Sequence, residues 1–264
     1  MTIALGYHCQ KGVIVAADTL VVVGEGELQE GNKLYTDTGL NGSYAIVTAG
    51  LDGNAAQMII TEILAELART NVESYAKLGQ IFKRHMTDWR RGYGNKKTPD
   101  MQFLLAAKLQ GQIPKLYFCE PPNTFAEKDD YYGIGYGSSV TDRLYETLFN
   151  HLGGVWIDVQ HVLRRIAYLM YQAKKNTTYC GKGTTCAIVF GERMFPREVA
   201  SCDFEQAESM SVGLDYLLSS TAEFSLGSTA DSIEKNADEL GGMLKDIHLR
   251  DFIFHDNFGD EIKL

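Results

Sequence analysis

The chain has 264 residues, 45% of them hydrophobic and 22% charged, with a formal net charge of −9. That is long enough for one large core or two small ones, and the composition is ordinary for a soluble globular protein. The acidic balance argues against nucleic acid or an anionic membrane as a partner, and no apolar run approaches the ~18 residues that a transmembrane helix requires. No basic stretch leads into a long apolar one at the start of the chain, so no signal peptide is expected and the cytoplasm is the expected location. The cysteines (Cys9, Cys119, Cys180, Cys186 and Cys202) are odd in number and scattered. They indicate neither a disulfide framework nor a zinc site, and no cofactor is expected.

In chain order, Thr2 to Cys9 alternates, with Ile3, Leu5, Tyr7 and Cys9 on one face and Ala4, Gly6 and His8 on the other. This predicts a strand, followed by a turn at Lys11-Gly12 and a second strand, Val13 to Ala17, apolar enough to be covered on both sides. A glycine-containing loop (Gly24-Glu25-Gly26) leads to a short strand around Lys33 to Thr36, and Tyr44 to Ala49 forms another, ending at Gly50. Apolar residues then recur at helical spacing from Ala55 to Arg69 and from Tyr75 to about Arg91. A basic loop, Arg90 to Lys97, reads as a solvated turn before strands at Met101 to Leu109 and Pro114 to Cys119.

A strand at 131 to 135 runs into a glycine turn and a helix, for which Ser139-x-x-Asp142 is a candidate capping box and Leu144, Leu148 and Leu152 a candidate apolar face. Ile157 to Lys174 reads as a helix and Thr184 to Phe190 as a strand. From about Ser201 the character changes. Helices are expected over Phe204 to Leu218 and after Ser228, and the aromatic tail around Phe252 and Phe254 should dock on this subunit or on a neighbour. Strands and helix pairs in this order suggest two helix layers around a stacked sheet core.

Several motif-like stretches carry no chemistry. Gly133-Ile-Gly135-Tyr-Gly137 has its third glycine misplaced for a dinucleotide loop. Gly181-Lys182-Gly183-Thr184 is followed by a strand where a P-loop needs a helix. No histidine spacing suits a metal, and no G-x-S-x-G elbow is present.

Thr2 is different. Methionine is usually trimmed before a small residue, which would leave Thr2 with a hydroxyl nucleophile and an α-amine base on one residue. With Asp18, Lys33 and Gly50 behind it, the chain resembles the proteasome β-subunit family of N-terminal-nucleophile hydrolases, in particular the bacterial proteasome-like peptidase type. The segments that carry the resemblance are Thr2-Ile3-Ala4, Gly12 to Asp18, Asn32-Lys33-Leu34, Thr48 to Leu51 and the glycine/serine turn at Gly133 to Ser139.

The resemblance covers roughly residues 2 to 195 and implies an α+β, four-layer αββα sandwich over residues 1–200, with 201–264 as a helical extension. It implies catalytic roles for Thr2, Asp18, Lys33 and Gly50, the last as an oxyanion donor through its backbone N–H. It also places Ser138 and Ser139 near the nucleophile, while Asp52 is a hint of pocket preference. By the same resemblance the activity is that of a threonine endopeptidase acting on peptides or unfolded proteins, built into a homo-oligomeric ring, with room for an ATPase partner. Two alternatives are a non-catalytic structural subunit and an amidase acting on a small amide. The sequence departs from the family pattern where Tyr136 takes the place of a serine, where Thr177 to Cys180 lacks an Asp and a Ser, and where Thr19 takes the place of an arginine.

Overall fold

A computed structural model describes residues 2–23, 27–50, 53–92, 100–149, 157–178, 180–224, 253–257 and 259–262. The fold starts from an antiparallel hairpin of β1 (Ile3–Cys9) and β2 (Gly12–Asp18), in which Ala4 pairs with Ala17 and Cys9 with Gly12. Period-two alternation puts Ile3, Leu5, Tyr7, Ile14 and Ala16 on one face, toward helices, and Ala4, Val13, Val15 and Ala17 on the other, toward a second sheet. Burial on both faces explains why β2 reads as a continuous apolar run. The expected turn shifts by one residue. Gly12 already belongs to β2, where an added Cβ would stand 2.6 Å from the Val189 carbonyl oxygen.

The hairpin is the centre of a five-stranded sheet in the order β10 (Tyr131–Gly135), β1, β2, β11 (Thr184–Phe190), β12 (Arg197–Val199). A second five-stranded sheet runs in sequence order, from β5 (Leu34–Thr38) and β6 (Gly42–Gly50) through β7 (Met101–Leu109) and β8 (Lys115–Glu120) to β9 (Thr124–Lys128). A separate two-stranded ribbon joins β3 (Leu20–Val23) to β4 (Glu27–Glu30). The two large sheets face each other through small and branched residues, Ala4, Val15 and Ala17 meeting Ala45, Val47 and Leu104 in one cluster. At Gly6 the approach is close, since an added Cβ would stand 2.6 Å from a Leu116 methyl.

Helices α1 (Gly53–Leu67) and α2 (Tyr75–Gly92) bury Ile59, Ile63, Leu78 and Phe82 against the second sheet. The first sheet is covered by α3 (Ser138–Leu148), α4 (Val159–Asn176) and the first turns of α5 (Ser201–Phe224), which add Tyr145, Leu163, Ile166, Phe204 and Ala207 to its core. This is the expected αββα sandwich. Among the described residues, no helix is long and apolar enough to cross a membrane.

Several local expectations are corrected. The β3–β4 ribbon, β9 and β12 had no counterpart in the sequence reading. The capping box does not form: α3 is capped at Gly137 without a side-chain bond, and Ser138 instead donates its hydroxyl to the Gly135 carbonyl (2.9 Å). The buried face of α3 is Thr141 and Tyr145; of the expected leucines, Leu144 packs partly buried against the core, Leu148 is 43% exposed and Leu152 lies outside the described residues. Tyr145 sets this rotation, because its ring stacks on Tyr131 at 4.2 Å and meets Tyr7 edge-on at 5.6 Å.

The tail around Phe254 packs within its own chain. Phe254 is fully buried with its ring 5.1 Å from that of Phe204, and Asp256 accepts from Arg197 Nε at 2.6 Å. Phe252, the loop at 24–26, most of the basic loop and the helix expected after Ser228 lie outside the described residues. Because Phe254 fills a closed part of the core, Phe254→Ala should cost about 3–5 kcal/mol, read as a lower denaturation midpoint in urea.

Candidate active site

Each end of the central hairpin contributes one residue. Thr2 immediately precedes β1 and Asp18 closes β2, so the antiparallel register sets the carboxylate beside the start of the chain. Asp18 is fully buried, and such a charge persists only if its oxygens are bonded. Its Oδ1 accepts from Thr2 Oγ1 (2.7 Å), from the Ile3 backbone N–H (3.1 Å) and from Lys33 Nζ (2.7 Å). Its Oδ2 accepts from the Gly181 N–H at 3.1 Å.

Lys33 is also buried, 4% exposed, just before β5. Its carbonyl accepts from the Thr48 N–H (3.1 Å), which ties it to the β6 strand that ends at Gly50. Burial pulls the Lys33 ammonium below the usual lysine range, and Asp18 opposes that by attraction and hydrogen bonding. Cys180 lies beside the pair, and burial, reinforced by the Asp18 charge, pushes its thiol up to about 11. At neutral pH it is a protonated thiol and does not compete as a nucleophile.

Two glycines with positive φ shape the opposite wall. Gly50 (φ 146°) ends β6, where an added Cβ would stand 2.2 Å from the Asp100 carbonyl oxygen. Gly135 (φ 85°) ends β10, where an added Cβ would stand 2.4 Å from the Thr2 carbonyl oxygen. That carbonyl accepts from the Gly137 N–H (3.4 Å), while the Gly135 N–H donates to Gln102 Oε1 (3.1 Å). The turn therefore holds the Thr2 backbone, and only residues without a side chain fit there. A cleft of ≈ 530 Å³ opens over Thr2 and Gly50, with Gln102, Tyr136, Ser138 and Asp142 also on its walls.

Of the residues expected from sequence, Thr2, Asp18 and Lys33 meet in direct hydrogen bonds, and Gly50 borders the same cleft as Thr2. Ser138 lines the cleft, but its hydroxyl is spent on the Gly135 carbonyl. Ser139 is exposed on α3 and is not on the cleft wall. Asp52 lies outside the described residues.

Sequence reasoning missed Gly135 and Gly137 as contacts of Thr2, Gly181 as a donor to Asp18, and Gln102 and Asp142 as cleft residues. Gly181 sits in the fragment set aside as a false P-loop; its backbone, free of side-chain bulk, serves a carboxylate instead of a phosphate. Asp142 was visible only as half of a capping pattern. It faces Tyr131 and the cleft, and burial raises its carboxyl above the usual range.

No protein-family model matches the sequence, and no curated protein matches it. Solved structures do match. The Anbu (Gly-1) mutant from Hyphomicrobium sp. strain MC1 superposes with a TM-score of 0.72 at 15% identity, covering 87% of this chain and 99% of that one. Anbu from Yersinia bercovieri, described as an ancestral beta-subunit, gives 0.69 at 12% identity, covering 86% and 98%. The helical assembly of the Anbu complex from Pseudomonas aeruginosa gives 0.68 at 15%, covering 87% and 99%. The chain has the fold of Anbu.

At such identities the likeness speaks for the fold alone. It also corrects the family drawn from the sequence, because Anbu is a proteasome-like family distinct from the proteasome β-subunits. The segments that suggested the β-subunits lie in and around β1, β2, β5, β6 and β10. Those elements build the fold itself and so do not separate one of its families from another.

The carboxylate at the centre of this site sets a stability prediction. Asp18→Ala leaves the Lys33 ammonium buried without its partner and should cost about 3–5 kcal/mol, measurable by denaturant titration.

Proposed function

We propose that this protein is an N-terminal-nucleophile hydrolase of the threonine type that cleaves amide bonds in peptides after removal of Met1. The observation that carries the reading is the buried Asp18 oxygen shared at 2.7 Å by the Thr2 hydroxyl and at 2.7 Å by the Lys33 ammonium. This arrangement holds Thr2 Oγ1 in one place and keeps a positive charge beside it, which favours its alkoxide-like form.

In the reaction, Thr2 Oγ1 attacks the scissile carbonyl carbon while its proton passes to the neutral α-amine of Thr2. The oxyanion that forms is met by the Gly50 N–H, a kind of donor typically worth ~10²–10³ in rate. Collapse breaks the C–N bond, and the leaving amine takes the proton back from the α-ammonium. Water, deprotonated by the same amine, then attacks the ester; acid is released and the Thr2 hydroxyl restored.

The Anbu structure from Pseudomonas aeruginosa is a helical assembly of the complex, which supports a homo-oligomer of this chain, with ring or helical symmetry. A cytoplasmic location belongs to the same reading. One observation favours the non-catalytic alternative. The Thr177 hydroxyl donates to the Ala173 carbonyl at the end of α4, so that side chain donates within its own helix and not to Thr2.

Peptide hydrolysis by the protein with Met1 removed, compared with Thr2→Ala, tests the proposal. The wild type should turn over and the variant should fall to background; equal rates would contradict the mechanism. A retained Met1 in the intact mass of active-fold protein would favour the non-catalytic subunit. The pH–rate profile should rise as the α-amine loses its proton near ~7.7–8.0. It should fall again as Lys33 loses its own, and because burial lowers that pKa from 10.5, the falling limb should lie below 10.5.

A further inference from the structure

The described part of the C-terminal extension reaches the Asp18–Lys33 pair through a half-buried charge cluster that the reaction above does not use. On α4, Lys174 Nζ donates to Thr184 Oγ1 (2.8 Å) and to both carboxylate oxygens of Glu208 (2.8 and 2.8 Å). Thr184 Oγ1 in turn donates to Glu208 Oε1 at 2.6 Å, which closes a ring of three side chains. The cluster is screened from solvent, since the Lys174 and Glu208 side chains are 12% and 14% exposed. Glu208 is carried by α5, so the ring joins the extension to α4 and β11.

This ring stands next to the candidate catalytic pair in two respects. Geometrically, Thr184 is the direct cross-strand partner of Asp18. The segment just before Thr184 delivers the Gly181 N–H to Asp18 Oδ2 (3.1 Å), and its Gly183 carbonyl accepts from the Thr19 N–H (3.1 Å). Fixing the Thr184 side chain therefore fixes the segment that satisfies the second carboxylate oxygen.

Electrostatically, Lys33 is faced by Asp18 from β2, by Cys180 from the loop before β11 and by Lys174 from α4. Glu30 on β4 bonds the Thr19 hydroxyl at 3.1 Å beside them. Thr2 adds its α-amine once Met1 is gone. Lys174 weakens the hold of Lys33 on its proton, and Glu208 is the carboxylate that pairs with Lys174.

We propose that Glu208 is a positioning residue for the Asp18–Lys33 pair: it clamps Lys174 onto Thr184 and cancels a charge that would repel the proton on Lys33. The catalytic consequence rests on the hydrolase reading above; the coupling between Glu208 and Lys33 does not. The extension thus holds the charge state of the site without touching substrate, and Glu208 acts through Lys174.

The test uses the full chain with Met1 removed and lysines labelled with ¹⁵N at Nζ, so that Lys33 is titrated by NMR alongside the pH–rate profile. In Glu208→Gln, the Lys33 titration and the falling limb of the profile should both move to lower pH by about one unit, as expected when a like charge acting on Lys33 loses its counter-charge. Glu208→Gln combined with Lys174→Gln should restore both, and Lys174→Gln alone should move both upward. A merely structural role predicts lost stability with an unmoved Lys33 titration, and that result overturns the proposal. A double variant displaced as far as Glu208→Gln overturns it as well. If Glu208→Gln does not fold, the upward shift in Lys174→Gln decides, and its absence is equally fatal. A wild type without peptidase activity defeats the hydrolase reading, while the NMR titration still decides this one.

Discussion

A carboxylate with no exposed surface has to be surrounded by donors, and that requirement organises this molecule. Asp18 receives four, from the Thr2 hydroxyl, the Ile3 and Gly181 amides and the Lys33 ammonium. They come from the start of the chain, the strand beside it, the segment before β5 and the turn before β11. No local stretch supplies them all, so the carboxylate is satisfied only when the first sheet is assembled and the second has brought Lys33 against it. Each donor constrains one element, and together they place a threonine hydroxyl, a lysine and a glycine-walled cleft at one end of a sandwich.

The sandwich provides the rigidity that this needs. β2 is buried on both faces, with helices on one side and the second sheet on the other, so its last residue has little freedom to move. Glycines appear where the backbone of the cleft leaves no room for a side chain. Gly50 and Gly135 both have positive φ and neighbours that would collide with a side chain. Lys33 is held between two opposing effects, burial against its charge and Asp18 in favour of it, which is the kind of balance by which a site sets the protonation of its groups.

Much of this was legible in the sequence because the informative residues are local. Strict alternation in Ile3 to Cys9 and the unbroken apolar run in Val13 to Ala17 give the hairpin, and the hairpin puts Thr2 beside Asp18. Lys33 and Gly50 are legible only through the resemblance, as parts of the segments Asn32-Lys33-Leu34 and Thr48 to Leu51. The rest depends on tertiary contact or on backbone atoms. Gly181 acts through its N–H, which no side chain advertises. Leucine spacing gives the face of α3 only in part, at Leu144, because the Tyr145 ring stack turns Leu148 toward solvent. β12 spans three residues, too short for any period to show, and β3 and β4 span four each, which is little better. The family was misjudged for a related reason: motifs built into the shared framework identify the fold and not the branch that uses it.

The central claim is that Thr2 Oγ1 and its own α-amine act together. The most direct measurement is peptide mapping by mass spectrometry after treatment with a peptide epoxyketone, whose two electrophilic carbons can be closed into a ring by an adjacent hydroxyl and amine. The account predicts one adduct, on Thr2, joined through both Oγ1 and the α-nitrogen of a chain that has lost Met1. An unmodified Thr2 still preceded by Met1, or an adduct confined to another side chain, would contradict it.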